Sequence, residues 1–234
     1  MAVTARAKRP TRRLNVARES TPARRLRARA IARGLARTYP DAWCELDYRS
    51  PWELLVATIL SAQCTDKMVN QVTPALFAEF PTPGALGAAD PSRIEEVVKR
   101  TGFFRQKTKA IQAVARSVAG EHAGRVPDEM DALTRLPGVG RKTANVVLGT
   151  AFGRPAIFVD THVRRLANRL GLTVEDDPDR IERDLQQLLP PREWTAFAHR
   201  LIHHGRRVCV ARTPRCTRCA VRRWCPQIGV TTSA

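Results

Sequence analysis

Residues 136–142 read Leu-Pro-Gly-Val-Gly-Arg-Lys and lie between two segments that have the apolar spacing of helices. Two glycines one residue apart permit a tight turn with positive φ and the close approach of another backbone. A helix that begins near Arg141 would point free N–H groups outward, and such a helix N-terminus binds phosphate readily. Taken alone, the stretch is equally compatible with an ordinary turn between two helices.

The rest of the chain is also helical in pattern. Proline-containing caps mark three helix starts, at Thr21-Pro22, at the capping box Ser50-Pro51-Trp52-Glu53, and at Asp90-Pro91, whose helix ends at Gly102. Further helices are predicted over residues 66–80, 105–121, 128–134, 141–152, 161–170, 178–189 and 192–208. No segment alternates convincingly with period two, although residues 155–159 are a candidate extended stretch. The predicted fold class is therefore all-α.

Four of the six cysteines lie close together, at Cys209, Cys216, Cys219 and Cys225, in the pattern C-x6-C-x2-C-x5-C. Four thiolates in such a short segment can ligate one metal centre, either a single zinc ion or an iron–sulfur cluster. Zinc sites usually contain two C-x2-C pairs and this segment has one, so the spacing favours iron–sulfur. Disulfides are disfavoured, because the N-terminus shows no apolar signal segment. Cys44 and Cys64 are predicted to be core thiols.

Positive charge is concentrated at the two ends of this 234-residue chain, whose formal net charge is +18. Residues 1–40 contribute +11 and residues 200–234 contribute +8, so the part between them is nearly neutral. Such concentrations indicate a polyanionic partner, because each neutralised phosphate releases counterions. The excess of positive charge at the C-terminal end surrounds the cysteines and favours nucleic acid as the partner. Residues 1–20 are predicted to be a disordered basic tail, for which simple solvation is an equal alternative.

Apolar residues make up 43% of the chain, which is enough for a substantial core. No uncharged apolar run approaches the length of a membrane span. We expect a monomeric bacterial protein of the cytoplasm, associated with the nucleoid. Organellar targeting by the basic N-terminus is the lesser alternative.

Three stretches follow one another in a fixed order: Leu136 through Asn145, Val159-Asp160-Thr161-His162, and the four cysteines. Together they resemble the motifs of the helix-hairpin-helix DNA glycosylases, and closely those of the endonuclease III family, over a region from about Trp52 through Cys225. The resemblance implies two domains, a six-helix barrel over residues 44–155 and an iron–sulfur cluster domain. The cluster domain would combine residues 21–43 with 156–225, leaving a C-terminal tail over 226–234. Damaged double-stranded DNA would bind in the cleft between the domains, and a 4Fe-4S cluster would be held by the four cysteines.

The activity that the resemblance implies is that of a bifunctional DNA glycosylase and AP lyase. Such an enzyme removes oxidised pyrimidines from duplex DNA and cleaves the abasic site by β-elimination, in base excision repair. Lys142 aligns with the nucleophile, whose deprotonated amine attacks the sugar C1′ and forms a Schiff base. Only six of the 40 basic residues are lysine, so a lysine here is not a default choice, although a phosphate contact is the simple alternative. Asp160 aligns with the catalytic aspartate, and it also has the position of an N-cap.

Extraction of a base from the duplex leaves a gap that side chains must fill. The resemblance assigns this role to Gln63 and Phe103. The family commonly has a smaller aliphatic residue at the second position, and Phe103 is equally compatible with a core position. His162 is expected near the lesion or its phosphate, with a structural role as the alternative. Further DNA contacts are expected from the hairpin and from the basic segment between the cysteines, at Leu136, Gly138, Val139, Gly140, Arg141, Arg212 and Arg215.

Three other interpretations remain open from the sequence. An adenine glycosylase that acts on mispairs shares the barrel, the aspartate and the cluster. It typically lacks the lysine and carries a large additional C-terminal domain, whereas Lys142 is present here and nine residues follow Cys225. A non-catalytic iron–sulfur DNA-binding protein would use the cluster as a switch. A zinc-stabilised DNA-binding module would hold zinc at the same cysteines.

Overall fold

The structure is a computed structural model that describes residues 19–234. This part of the chain forms eleven α-helices and contains no β-strand, which confirms the predicted all-α class. The helices are α1 (Thr21–Thr38), α2 (Pro51–Leu60), α3 (Asp66–Glu79), α4 (Pro83–Ala88), α5 (Pro91–Val98), α6 (Phe104–Glu121), α7 (Met130–Arg135), α8 (Arg141–Ala151), α9 (Thr161–Arg169), α10 (Pro178–Leu188) and α11 (Trp194–Arg207). None of these helices is long and apolar enough to cross a bilayer. The predicted basic tail lies outside the described residues except for Glu19 and Ser20.

Side-chain caps set several of the helix starts. Ser20 Oγ accepts a hydrogen bond from the Ala23 N–H, so the prediction that Thr21 caps α1 is wrong by one residue. At α2, Ser50 Oγ accepts from the Glu53 N–H at 3.2 Å, as the capping box predicts. The Glu53 carboxylate accepts from the Arg49 N–H at 2.7 Å rather than from that of Ser50. The box is therefore present with its second bond shifted by one residue.

The six helices predicted between residues 44 and 155 are all present, and α4 adds a short seventh. The pattern of α4 is hard to recognise because two of its six residues are glycine. Thr82 caps it by accepting from the Ala85 N–H at 3.1 Å. A Cβ atom at Gly87 would lie only 3.2 Å from the backbone nitrogen of Arg116, so the glycine lets α4 pack closely against α6.

Two apolar clusters hold the helices together. The first is built by α2 to α8, with Leu55, Leu76 and Ile111 fully buried in it. The second combines α1, the segment 157–159, α9 to α11 and the segment that carries the four cysteines. Helix α8 takes part in both clusters, because Val147 packs in the first and Val146 in the second. The helix that carries Lys142 therefore lies where the two clusters meet.

Helix α1 packs on α10 and α11, far from it in the sequence. Its apolar side is fully buried at Ile31 and Leu35. The buried Arg27 guanidinium donates to the carbonyl oxygen of Gly171 at 2.8 Å and to Glu19 at 2.7 Å. It also donates to the carbonyl of Leu170, 143 residues away in the chain. These bonds satisfy carbonyl groups at the end of α9 that the helix itself leaves free, and they fix α1 to the second cluster.

Candidate active site

Lys142 and Asp160 border one cleft, which runs between the two apolar clusters. The cleft has a volume of about 440 Å³, and Gln63 and His162 are among its other lining residues. Lys142 is exposed at the start of α8, and Asp160 is half-buried at the start of α9. Two residues predicted to act together are thus placed by the N-termini of two different helices.

The hairpin before Lys142 has the predicted turn. Leu136 and Val139 are buried, and the Val139 N–H donates to the Leu136 carbonyl at 3.1 Å. Gly138 has a φ of 75°, which confirms positive φ at the first glycine. Gly140 has a φ of −84°, so the second glycine does not need that freedom. No side chain of residues 19–234 caps α8, and its first N–H groups stay open toward an anion.

Asp160 caps α9, as its position predicts. Its Oδ1 accepts a hydrogen bond from the Val163 N–H at 2.7 Å. The other carboxylate oxygen, Oδ2, forms no hydrogen bond with residues 19–234 and belongs to a side chain that lines the cleft. One oxygen thus orients the side chain, while the second remains able to interact with a substrate.

His162 is the second residue of α9 and is half-buried. Arg165 Nη2 lies 3.1 Å from His162 Nδ1, and a guanidinium can only donate, so Nδ1 accepts. Burial lowers the pKa of His162, and the Asp160 carboxylate opposes this shift in part. The ring is therefore neutral at pH 7 and carries its proton on Nε2.

The two residues predicted to fill the gap in the duplex, Gln63 and Phe103, stand at the edge of an adjoining part of the cleft. Both line it together with Lys142. Phe103 is 59% exposed, so the alternative interpretation as a core residue is wrong. Both residues are left-handed, with φ of 51° at Gln63 and 49° at Phe103, a conformation that is uncommon for residues other than glycine. Strained, exposed loops are thus presented on the side of the cleft where Lys142 lies.

The four cysteines of the C-terminal pattern line one cavity, together with Arg169 and His204. All six cysteines lie in the described part of the chain, and none of them is in a disulfide. Within residues 19–234 no three His, Cys, Asp or Glu side chains converge closely enough to share a single metal ion. Arg212 and Arg215 lie exposed in the same segment.

Hydrogen-bond donors approach the sulfur atoms of this cavity. The Gln227 N–H donates to Cys225 Sγ at 3.3 Å, and Arg169 Nη1 donates to Cys209 Sγ at 3.5 Å. Donors of this kind stabilise sulfur ligands that carry negative charge. Cys44 lies apart from this cavity, at the margin of the first apolar cluster, where burial raises the pKa of its thiol to about 11.

Comparison with known proteins identifies the family. The sequence model of the HhH-GPD superfamily of base excision DNA repair proteins matches residues 56–191. Endonuclease III of Synechocystis sp. is 54% identical over 201 residues, which cover 86% of this chain and 92% of that relative. The chain belongs to the endonuclease III family. This confirms the resemblance that the three sequence motifs indicated.

Two solved structures agree with this membership. A non-covalent endonuclease III–DNA complex has a TM-score of 0.82 and 42% identity, covering 86% of this chain and 94% of that one. A trapped endonuclease III–DNA covalent intermediate has the same TM-score and identity, covering 86% of this chain and 95% of that one. The two-domain helix-hairpin-helix glycosylase fold is therefore confirmed.

Two charged residues of this endonuclease III family member were not found from its sequence. On α10, the carboxylate of Glu182 is 4% exposed and accepts from Arg141 Nε at 2.8 Å and Nη2 at 2.7 Å. It also accepts from Asn145 Nδ2 at 2.9 Å. On α11, Arg206 donates to Asp66 Oδ2 at 2.7 Å across the cleft. Arg141 thus contacts Glu182 in this structure, and its expected contact with DNA stays a prediction.

Replacement of Glu182 by alanine is expected to lower the free energy of unfolding by about 1–3 kcal/mol. The Asn145 amide, which is 3% exposed, would lose its partner, whereas Arg141 can turn toward water. The difference is measured from urea denaturation curves. Glu96→Ala is the matched control, because the Glu96 carboxylate is 69% exposed and pairs with the exposed Arg93. Equal stability of the two variants would contradict a role of Glu182 in joining α8 to α10.

Proposed function

We infer that the chain is a DNA glycosylase with AP lyase activity that acts on damaged duplex DNA in base excision repair. Membership of the endonuclease III family supports this class of enzyme activity. The observation that supports it within this chain is the single cleft bordered by Lys142 and Asp160, beside the open N-terminus of α8. Relatives of this family have been trapped as covalent intermediates with DNA, which agrees with an amine nucleophile.

In the proposed mechanism, the Lys142 Nζ lone pair attacks C1′ of a nucleotide rotated out of the duplex. The bond between C1′ and the base breaks, and the base leaves with the bonding electrons and is protonated. Asp160 Oδ2 stabilises the positive charge that develops on the sugar and receives the proton lost by the attacking amine. Opening of the sugar ring gives a Schiff base on Lys142. Loss of a proton from C2′ then forms a double bond between C2′ and C3′, and the bond between C3′ and its oxygen breaks as the 3′ phosphate leaves.

The proposed substrates are oxidised pyrimidines in duplex DNA. Extrusion of the damaged base would leave a gap that Phe103 and Gln63 fill from one side of the cleft. The phosphate groups flanking the lesion would be held by the hairpin residues 136–140 and by the free N–H groups of α8. Arg212 and Arg215 extend the positive surface at the cysteine-bearing segment. The exposure of these arginines and of Phe103 supports their assignment to the DNA contact.

We propose that Cys209, Cys216, Cys219 and Cys225 ligate a 4Fe-4S cluster. Their placement around one cavity supports a shared cofactor, and the single C-x2-C pair in their spacing favours an iron–sulfur cluster over zinc. The N–H donors at Cys209 and Cys225 suit sulfur ligands that carry negative charge. When bound, the cluster would cross-link this segment and so hold its arginines in place for DNA.

Cys216→Ser is expected to lose the broad visible absorption of the purified protein and most of its iron and acid-labile sulfide, which should be about four of each per wild-type chain. Cys44→Ser is the control, and it should keep both, because Cys44 packs against the other apolar cluster. Wild-type protein that is colourless and holds one zinc per chain would overturn this cofactor assignment in favour of the zinc alternative.

The domain boundaries and the location in the cell are further proposals. A barrel over residues 44–155 and a cluster domain over 21–43 and 156–225 are supported by the two separate apolar clusters. We also propose that the protein works as a monomer at the bacterial nucleoid, where its substrate is found. The bacterial source of the Synechocystis relative supports this location.

Borohydride trapping tests the proposed function. Purified protein is mixed with a duplex that carries an oxidised thymine, the mixture is reduced, and the adducted peptide is identified by mass spectrometry. Adduct at Lys142 would support lysine-based excision and strand cleavage. Release of the base without adduct would indicate a glycosylase that lacks lyase activity, and the absence of both would favour a non-catalytic DNA-binding protein.

A further inference from the structure

Lys107 is a buried lysine that the mechanism above does not use. It lies near the start of α6 and is only 5% exposed. Its Nζ donates a hydrogen bond of 2.7 Å to the carbonyl oxygen of Thr101. Burial lowers the pKa of Lys107, and the nearby Cys64 thiol opposes this in part. A buried ammonium group is expensive to maintain, so a lysine at this position needs an explanation beyond packing.

The Thr101 carbonyl is the anchor of the loop that presents Phe103. Thr101 itself is 2% exposed, and the two residues after it are Gly102, with a φ of 70°, and Phe103, with a φ of 49°. Two successive residues with positive φ make a sharp loop, and the second of them is unfavourable for a phenylalanine by about 1–3 kcal/mol. Such a conformation persists only where its surroundings hold it. Lys107 supplies a hydrogen bond to the Thr101 carbonyl, at the last buried residue before the exposed Phe103.

Lys107 also lies beneath the loop that presents Gln63. It lines the same part of the cleft as Gln63, Phe103 and Lys142. The Cys64 thiol, which acts on the Lys107 amine electrostatically, is the immediate neighbour of Gln63 in the chain. One ammonium group therefore lies under both strained loops on the lysine side of the cleft.

We propose that Lys107 is a positioning residue for base extrusion, which fixes the Thr101 carbonyl so that the Phe103 ring enters the base stack. The proposal rests on the inferred glycosylase function, within which it assigns Lys107 to the extrusion step. Its hydrogen bond reaches the loop and not the reacting atoms, so its loss should affect extrusion more than chemistry. Extrusion costs a few kcal/mol for a paired base and least for a base that is already unpaired. A comparison of lesions in paired and unpaired DNA therefore distinguishes a loss of base extrusion from a loss of chemistry.

Lys107→Met tests the proposal, because it keeps an unbranched side chain and removes the N–H donors. Single-turnover excision is measured on one lesion strand, either fully paired or opposite a short unpaired bubble. We expect the excision rate on paired DNA to fall about tenfold, because a poorly positioned Phe103 ring offsets less of the free energy needed to extrude a paired base. The rate in the bubble should change less than about threefold, on the same reasoning. The fluorescence of 2-aminopurine next to the lesion should rise less on binding than it does with wild-type protein.

Lys109→Met is the matched control, since Lys109 is exposed on the same helix and lines no part of the cleft described above. It should match wild type on both substrates. Equal losses in paired and bubble DNA, or no loss in either, would overturn the role of Lys107. If Lys107→Met does not fold, Lys107→Leu, which also removes the N–H donors, is judged by the same ratio. Wild-type protein that excises neither lesion would instead refute the proposed function.

Discussion

Lys142→Gln gives no borohydride adduct and cleaves a preformed abasic site at least about 10³-fold more slowly than wild type, the scale of loss expected for a catalytic nucleophile. The glutamine amide has similar size but no lone pair that can attack C1′. Lys142 is exposed at the first turn of α8, so its replacement removes no core contact. The thermal midpoint should therefore match that of wild type. Adduct yield and single-turnover strand cleavage are measured side by side on denaturing gels.

Lys109→Gln provides the comparison for this variant, since it removes one positive charge from an exposed helical site outside the cleft. It should retain the adduct and the cleavage rate. If Lys142→Gln still forms an adduct, another amine is the nucleophile and the role proposed for Lys142 is wrong. If it loses only affinity for DNA, and the loss is relieved at low salt, Lys142 is a phosphate contact.

Asp160→Asn is expected to lower the rate of base excision by about 10²–10⁴-fold, the contribution typical of a group that moves protons or stabilises charge. Asparagine is as good an N-cap as aspartate, so it can still accept from the Val163 N–H. Stability should thus be retained while the negative charge facing the cleft is lost. Single-turnover release of an oxidised thymine is the appropriate measurement, together with the thermal midpoint.

Two further variants separate capping from chemistry at this position. Asp160→Ala removes the cap as well, and it should lose about 1 kcal/mol of stability in addition to activity. Asp90→Asn makes the same chemical change at the N-cap of α5, away from the cleft, and should leave excision unchanged. Near-wild-type excision by Asp160→Asn would show that Asp160 only caps α9.

The features predicted correctly from the sequence depend on short stretches of chain. Prolines and capping residues mark the helix starts near Ser50 and Asp90, and the hairpin at 136–140 follows from its glycines. Helix α4 was missed because its glycines conceal its apolar pattern. The four cysteines lie within one short segment, so the proposal that they share a cofactor could be made from their spacing alone.

The features that could not be predicted depend on contacts between distant residues. Glu182 meets Arg141 across 41 residues, and Arg206 meets Asp66 across 140, so no local pattern reveals either pair. For Phe103 the sequence left a gap-filling role and a core position equally open, because a phenylalanine normally indicates the core and rarely takes positive φ. Lys107 looks like an ordinary helix residue until α6 is packed against the preceding loop.

The packing of α1 has a consequence for biosynthesis. This helix leaves the ribosome well before its partners, because Arg27 bonds to Leu170, which is added 143 residues later. At ordinary rates of translation of 5–20 residues per second, that interval lasts roughly 7–30 s. Throughout it, the apolar stripe of α1 at Ile31 and Leu35 lacks the partners that bury it in the finished protein. The apolar surface of α1 therefore stays exposed in the nascent chain until residues of its last third have been made, and transiently exposed surface of this kind favours aggregation.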